Sequence, residues 1–195
     1  VPHSMLRIEA MGMDESVTRN PSASEMETMT TLLETAMDQG YAGFSTDALP
    51  FHFLANDPNR QKQIPTQFAA YSEIKTLTSI VREHGRVWQA TPPKDSPVNT
   101  LKSFLLTSGR FHKKPLKTTV VAAMDIASNK AIVRQAKFLS RLLNSRFIGG
   151  DFHLQALAAP FKIWSDGAFS PLAEEIDELR ELIETDLEDS GRRRE

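Results

Sequence analysis

The residues of this chain with the clearest chemical potential lie where short apolar segments end. Ser45, Thr46 and Asp47 end the segment GFSTD, and Gln89 and Thr91 end the segment RVWQAT. In proteins built of strand–helix units, binding and reacting groups sit at the carboxyl ends of the strands. Hydroxyl and amide groups at such ends orient a polar substrate, and a carboxylate also moves a proton. We therefore treat these five positions as candidate substrate contacts.

The sequence shows no metal-binding pattern of histidine and cysteine, the residues that most often bind transition metals. The chain has no Cys, so it has no thiolate ligand, no Cys nucleophile and no disulfide framework. Its five histidines show neither His-x-His nor His-x-x-x-His spacing. We expect structural or solvated roles for most of them; for example, His84 precedes Gly85 at a predicted helix end, where a cation complements the helix dipole.

Charge and hydropathy restrict the partners. The 25 acidic and 23 basic side chains give a net charge of −2, and 40% of the residues are hydrophobic, enough for one sizeable core. A nucleic-acid-binding domain would show a strong basic excess, and no apolar run approaches the roughly 18 residues of a membrane span. The basic segment GRFHKKPLK is interpreted as a solvated loop. We expect no nucleic acid and no membrane as partners, and a cytoplasmic location fits the lack of Cys.

Hydrophobic periodicity predicts an alternation of strands and helices. Ser24 and Glu27 form a predicted capping box in the clearest helix, which Gly40 ends. Ser128 is the predicted cap of a later helix. The predicted helices cover residues 22–40, 69–85, 96–109, 128–145 and 171–189, and the predicted strands cover residues 41–46, 86–90, 116–124 and 152–164. The last is either one strand or two short ones broken at Pro160.

This alternation is typical of a parallel sheet built from βαβ units. A complete (β/α)8 barrel of the TIM type takes about 250 residues, so 195 residues suffice for part of one. The doubly wound alternative favours a Gly-rich phosphate turn, and neither G-x-G-x-x-G nor a Walker A motif occurs. We predict an α/β fold in which residues 1–195 form a single partial barrel domain, with an irregular loop at about 47–68 on the pocket side. The charged terminal residues and the missing start Met lead us to expect a piece of a longer protein.

Three segments together resemble a known family. PHSMLRIEAMGMD, EMETMTTLLETAMDQGYAGFSTD and REHGRVWQAT are similar, in order and spacing, to the middle of the D-aminoacylase-like branch of the metal-dependent amidohydrolases. The resemblance is best over residues 2–47 and 82–91. It implies a (β/α)8 barrel with one or two Zn²⁺ ions, which activate a water for attack on the amide of an N-acyl-D-amino acid.

The resemblance also implies two single His ligands within this stretch, and neither is present. Thr91 or Pro92 stands at the first position, and Met124 or Asp125 at the second. Neither Thr nor Pro replaces an imidazole as a zinc ligand. We therefore expect no metal and no cofactor in residues 1–195, although a full-length parent protein can hold Zn²⁺. His3 matches the Gly-His position of the family and either lines a pocket or forms a hydrogen bond at a strand end.

The resemblance favours part of a hydrolase acting on C–N (amide, non-peptide) bonds, as in N-acyl amino acid deacylation, with this part inactive by itself. A non-catalytic barrel relative that binds a small molecule or a protein is the alternative, and an unrelated stand-alone βα domain is a third reading. We expect a small-molecule substrate and self-association of the isolated piece. No catalytic residue is assigned; the candidate substrate-binding residues, expected to converge on one concave surface, are His3, Ser45, Thr46, Asp47, Gln89, Thr91 and Asp125.

Overall fold

A computed structural model of the chain shows alternating helices and strands. The described residues are 1–49, 52–54, 58–59, 62–91, 97–123 and 131–156. In chain order the elements are α1 (His3–Met11), α2 (Met13–Ser16), α3 (Ala23–Asp38), β1 (Gly43–Thr46), α4 (Tyr71–Glu83), β2 (Val87–Ala90), α5 (Pro97–Phe104), α6 (Gly109–His112), β3 (Lys117–Ala123), α7 (Ile132–Leu143) and β4 (Asp151–Ala156).

The four strands form one parallel sheet in the order β1-β2-β3-β4. Crossovers between parallel strands are right-handed, so a sequential order without reversal places every connecting helix on the same face. A doubly wound sheet would instead reverse its order and carry helices on both faces. The predicted α/β fold with parallel βα units of the barrel type is confirmed.

The helix-covered face of the sheet carries the hydrophobic core. Phe44, Trp88 and Phe152 occupy aligned positions on β1, β2 and β4, and each is at most 2% exposed. Phe104 of α5 packs between two of them, with its ring centroid 6.0 Å from that of Trp88 and 5.1 Å from that of Phe152. This aromatic layer fixes the helices against the sheet and thereby positions the strand ends.

The N-terminus of α3 differs from the prediction by two residues. Ser22, not Ser24, is the N-cap: its Oγ accepts from the Glu25 amide at 3.3 Å, and the Glu25 carboxylate accepts from the Ser22 amide at 2.7 Å. Both Ser22–Glu25 and Ser24–Glu27 satisfy the S-x-x-E pattern of a capping box. Arg19 favours the earlier one, because its guanidinium donates two hydrogen bonds to Glu25.

Helix α1 was not predicted, although residues 3–11 form more than two turns. Its buried face contains Leu6 and Met11, but also the charged Arg7, which is fully buried. A charged residue on the inner face interrupts the apolar stripe by which an amphipathic helix is recognised. Ahead of α1, Pro2 forms a parallel bridge with Ser45, so the chain enters this helix from the edge of the sheet.

The remaining predictions are confirmed in part. Gly40 and Gly85 end their helices with φ of +94° and +64°, as a C′ glycine does. The longest described helix, α3, has 16 residues, and none of the helices in the described ranges is both long and apolar enough to cross a bilayer. Asp125, the Ser128 cap and the acidic helix predicted at 171–189 lie outside the described residues.

The irregular segment predicted at about 47–68 contains two features in its described part. Phe53 and Gln63 form an antiparallel bridge, and residues 65–68 form a 3-10 turn. The chain divides into two compact units, the first comprising Val1–Leu49 and Pro65–Ala158, and the second Pro50–Ile64 and Ala159–Glu195.

Candidate functional site

A row of polar side chains crosses the face of the sheet opposite the helices. Ser45, Gln89, Thr119 and His153 are aligned with one another on β1, β2, β3 and β4. Side chains alternate between the two faces of a strand, so these residues point away from the aromatic core. All four are half-buried or exposed. In a closed barrel this face points to the interior.

Hydrogen bonds join this row to residues of β4 two positions before and after His153. Gln89 Nε2 donates to Gln155 Oε1 at 3.4 Å, and Gln155 Nε2 donates to Thr119 Oγ1 at 3.0 Å. On β4, His153 Nε2 lies 2.6 Å from Asp151 Oδ1. Of these groups, only Gln89 was a candidate from the sequence. The alternation of polar and apolar residues in KTTVV and DFHLQ would have identified the others once the strand register was known.

At the carboxyl ends of β1 and β2, two candidate residues are in direct contact. Thr91 Oγ1 donates to Asp47 Oδ1 at 2.9 Å and accepts from the Ala48 amide at 2.7 Å. Asp47 Oδ1 also accepts from the Leu49 amide at 3.0 Å. Gln67 Nε2 donates to the carbonyl of Asp47 at 3.2 Å and to that of Leu49 at 2.5 Å. These bonds fix the backbone at this edge of the sheet.

Thr46 lies on the opposite face from Ser45. Its hydroxyl accepts a hydrogen bond from the Trp88 indole nitrogen at 2.9 Å, and the residue is 9% exposed. Consecutive strand residues point to opposite faces, so both cannot belong to one surface. The structure therefore brings together Ser45 with Gln89 and Asp47 with Thr91, but not Thr46.

His3 lies in a buried ion-pair cluster and does not line an open cleft. Its Nε2 is 2.7 Å from Glu73 Oε1, and Arg7 Nη1 donates to Glu73 Oε2 at 2.6 Å. Neither His3 nor Arg7 has exposed surface. The edge of the imidazole packs on the Phe44 ring at a centroid distance of 5.5 Å. Two roles were expected for His3: lining a pocket, or forming a hydrogen bond at a strand end. Its placement agrees with the second role.

The electrostatics of the cluster follow from its burial. Burial lowers the pKa of His3, although the hydrogen bond to Glu73 and its charge act in the opposite direction. Burial alone would raise the pKa of Glu73, but the hydrogen bonds and charges of His3 and Arg7 outweigh it and hold that pKa below its ordinary value. At neutral pH we assign a neutral His3, an ionised Glu73 and a charged Arg7.

The described residues offer no metal centre. Within residues 1–49, 52–54, 58–59, 62–91, 97–123 and 131–156, no group of three or more His, Cys, Asp or Glu side chains is arranged to hold a metal ion. A zinc site needs at least three such ligands. The Thr91 hydroxyl is engaged by Asp47 and by the Ala48 amide.

Comparisons with other sequences give relatives without an assigned function. No family model matches the chain. Uncharacterized proteins from Mycobacterium tuberculosis (strains H37Rv and CDC 1551) and Mycobacterium bovis are each 32% identical over 177 residues. The matches cover 89% of this chain but only 29% of each relative, so the chain spans less than a third of their length.

Among solved structures, the chain is similar to D-aminoacylase. Three solved structures of that enzyme match with a TM-score of 0.51 and 22% identity, covering 79% of this chain and 28% of theirs. One describes D-aminoacylase as defining a novel subset of amidohydrolases, another concerns its binuclear metal centre, and the third is a mutant with CuCl2. At this level of identity the likeness shows an amidohydrolase-type fold.

Proposed function

We propose that residues 1–195 belong to a longer hydrolase of amide, non-peptide C–N bonds, whose reaction is the deacylation of N-acyl amino acids. The observation that carries the proposal is the likeness of the sequential parallel sheet to D-aminoacylase over 79% of the chain. The ordered resemblance of residues 2–47 and 82–91 to that enzyme branch supports it independently. The polar row lies on the sheet face that would point to the interior of a closed barrel.

In this proposal the polar row binds and orients the substrate. The carboxamides of Gln89 and Gln155 each have donors and an acceptor. They can donate to the carbonyl or carboxylate of an N-acyl amino acid and accept from its amide N–H. The Thr119 hydroxyl, already bonded to Gln155, keeps that carboxamide in place. The contact between Asp47 and Thr91 shapes the adjoining edge of the site.

We assign no step of the reaction to a metal bound by this chain, because the described residues supply no set of metal ligands. Zinc in the full-length protein is part of the proposal only with ligands contributed by other segments. The chain's own contribution is recognition: it holds the substrate by uncharged polar groups that lie on one face of a rigid sheet.

The test is an assay of the full-length protein against N-acetyl-D- and N-acetyl-L-amino acids, with release of the free amine as the readout. Replacing Gln89 by Leu removes a hydrogen bond to substrate and should raise KM about 3–10-fold. Thr28→Ala on the exposed side of α3 is the matched control and should leave KM unchanged. Equal effects of the two variants would contradict the assignment of Gln89.

A non-catalytic barrel relative that binds the same small molecules is the second candidate function. It is favoured by Thr91, which stands where the resemblance places a histidine and is engaged by Asp47 and the Ala48 amide. Calorimetry of the full-length protein with N-acyl amino acids separates the two. Binding without amine release, with and without added Zn²⁺, identifies the binding protein, whereas turnover identifies the hydrolase.

A further inference from the structure

On β4, the polar row contains a histidine that is paired with an aspartate. His153 Nε2 lies 2.6 Å from Asp151 Oδ1, and the side chain of His153 is 67% exposed while that of Asp151 is 34% exposed. The two residues are two positions apart on one strand, so they point to the same face of the sheet. The pair therefore lies on the face of Thr119 and Gln155 and not in the aromatic core.

The hydrogen bond to Asp151 fixes the tautomer of the imidazole. A carboxylate only accepts hydrogen bonds, so Nε2 of His153 carries the hydrogen, and in the neutral form of the ring Nδ1 keeps its lone pair. Nδ1 has no hydrogen-bond partner among the described residues. Because the two ring nitrogens point in diverging directions, Nδ1 faces away from Asp151. The ring therefore presents a proton acceptor on the polar face of the sheet.

Two other histidines of the described ranges lack this combination. His84 is also paired with an aspartate, Asp38, at 3.1 Å, but its Nδ1 lies 2.9 Å from the Ile80 carbonyl, so both of its ring nitrogens are engaged. Nδ1 of His3 has no hydrogen-bond partner in the part of the chain that the structure describes, but that ring has no exposed surface. An accessible imidazole that a carboxylate holds at one nitrogen is the arrangement of a general base.

Polar donors lie next to His153 on the same face. Thr119 is aligned with His153 on the adjacent strand, and Gln155 Nε2 donates to Thr119 Oγ1 at 3.0 Å. Adjacent strands are about 4.8 Å apart, so an amide lying across β3 and β4 can reach the imidazole and the carboxamide together. The NH2 group of Gln155 has two hydrogens, one of which is used for Thr119. The other can donate to the oxygen of a substrate.

We propose that His153 is the general base of the amide hydrolysis and that Asp151 is its positioning residue. This assignment rests on the proposed hydrolase function and adds a reacting group to a row that otherwise binds substrate. The row includes Ser45 and Gln89, each one residue before the end of its strand. His153 is therefore near the carboxyl ends of the strands, where barrel enzymes place their chemistry.

The reaction balances with water as the only co-reactant. Nδ1 of His153 takes a proton from water while the water oxygen forms a bond to the acyl carbon, and the C=O electron pair moves to the carbonyl oxygen. The second N–H of Gln155 stabilises the negative charge on that oxygen. When the intermediate collapses, the C–N bond breaks and its electron pair goes to nitrogen, which takes the proton from Nδ1. The products are a carboxylic acid and a free amine.

The experiment is a steady-state assay of the full-length protein, with the amine released from N-acetyl amino acids as the readout. His153→Ala should lower kcat about 100-fold or more, the contribution of a general base, and should change KM less than about threefold. Added imidazole should restore part of the lost rate by occupying the space of the missing side chain. Asp151→Asn should lower kcat about 10-fold or more, because an amide can donate and thereby favours the wrong tautomer of the ring.

His84→Ala is the matched control, since it removes another imidazole that is paired with an aspartate but lies outside the polar row. It should leave kcat unchanged, with and without imidazole. Wild-type protein assayed with the same imidazole corrects for any inhibition. His153→Gln is the second variant if His153→Ala fails to fold, and the same loss of kcat is expected of it.

Three results would overturn the assignment of His153 while the hydrolase function stands. They are a kcat of His153→Ala equal to that of His84→Ala, a loss of activity confined to KM, and a loss of kcat that imidazole does not restore. Absence of amine release by the wild-type protein from every N-acetyl amino acid would overturn the proposed function, and this assignment with it.

Discussion

At the scale of single residues, His3, Arg7 and Glu73 form a buried ion-pair cluster. Arg7 uses three nitrogens: Nη1 bonds to Glu73, Nε donates to the Ser16 carbonyl at 3.2 Å and Nη2 to the Arg19 carbonyl at 2.7 Å. One buried guanidinium thus connects α1 to α4, to the last residue of α2 and to the chain after α2. The cluster is a structural feature near the first strand-like segment and not part of the polar row.

We predict that Glu73→Gln strongly destabilises the protein. Removing the carboxylate leaves the buried Arg7 charge uncompensated, which costs about 3–5 kcal/mol when a buried pair is broken. Urea denaturation measures the loss. Glu34→Gln on the exposed side of α3 is the matched control and should change the free energy of unfolding by less than about 0.5 kcal/mol. A Glu73 variant as stable as this control would show that the pair contributes little.

The same cluster predicts that stability falls in acid. The pKa values of His3 and Glu73 are both lowered by folding, so protonation favours the unfolded chain in each case. The contribution of His3 is complete above about pH 6.5 and that of Glu73 above about pH 4.5. Each is lost as the pH falls through the lower pKa of the folded state.

Urea midpoints measured between pH 7 and pH 4 test this dependence. We expect the midpoint to fall with pH, and His3→Gln to flatten the part of the slope just below pH 6.5. A His3 variant with the wild-type slope would assign the pH dependence to other groups.

Metal binding is also decided by single residues. We predict that residues 1–195 bind no Zn²⁺ with micromolar or better affinity, because His is missing at both positions where the resemblance places one. Calorimetric titration of the chelator-stripped chain with Zn²⁺ measures this. A stoichiometric site that disappears in Asp125→Ala would mean that the missing histidines were misinterpreted.

At the level of elements, the start of α3 gives a matched pair of variants. Ser22→Ala removes the N-cap oxygen and should cost about 1 kcal/mol. Ser24 lies inside the helix, where its side chain has one hydrogen bond with a described residue, to the Ser22 hydroxyl at 3.2 Å. Ser24→Ala should therefore cost less than half as much in urea denaturation. A larger loss of stability in Ser24→Ala than in Ser22→Ala would instead support the capping box predicted from the sequence.

On the scale of the whole molecule, the two edges of the four-stranded sheet in the described residues have a consequence for the isolated chain. An uncovered strand edge pairs readily with other strands, and Phe138 and Phe147 are 68% and 90% exposed. We predict that residues 1–195, made alone, self-associate or fold marginally. Sedimentation velocity and calorimetry are the measurements. A clean monomer with one cooperative melting transition would contradict the prediction.

The sequence by itself determined the alternation of the four strands with the longer helices between them and the parallel direction of the sheet. Helix ends such as Gly40 and Gly85, and the strands ending at Thr46 and Ala90, follow from local signals: hydrophobic period, glycine conformation and chain length between elements. These signals involve residues close in sequence. For that reason the parallel βα order was predictable without knowing a single tertiary contact.

Only the tertiary structure decided which polar residues meet. Gln155 bonds to Thr119 across 36 residues, and Glu73 bonds to Arg7 across 66. The alternation of side chains along a strand could have assigned Ser45 and Thr46 to opposite faces. The buried indole that donates a hydrogen bond to Thr46, however, comes from another strand. In a sequence, an arginine predicts a surface position. It lies in the core when a carboxylate from a distant part of the chain compensates its charge. Such compensation depends on where separate elements pack, and no local pattern in the sequence records it.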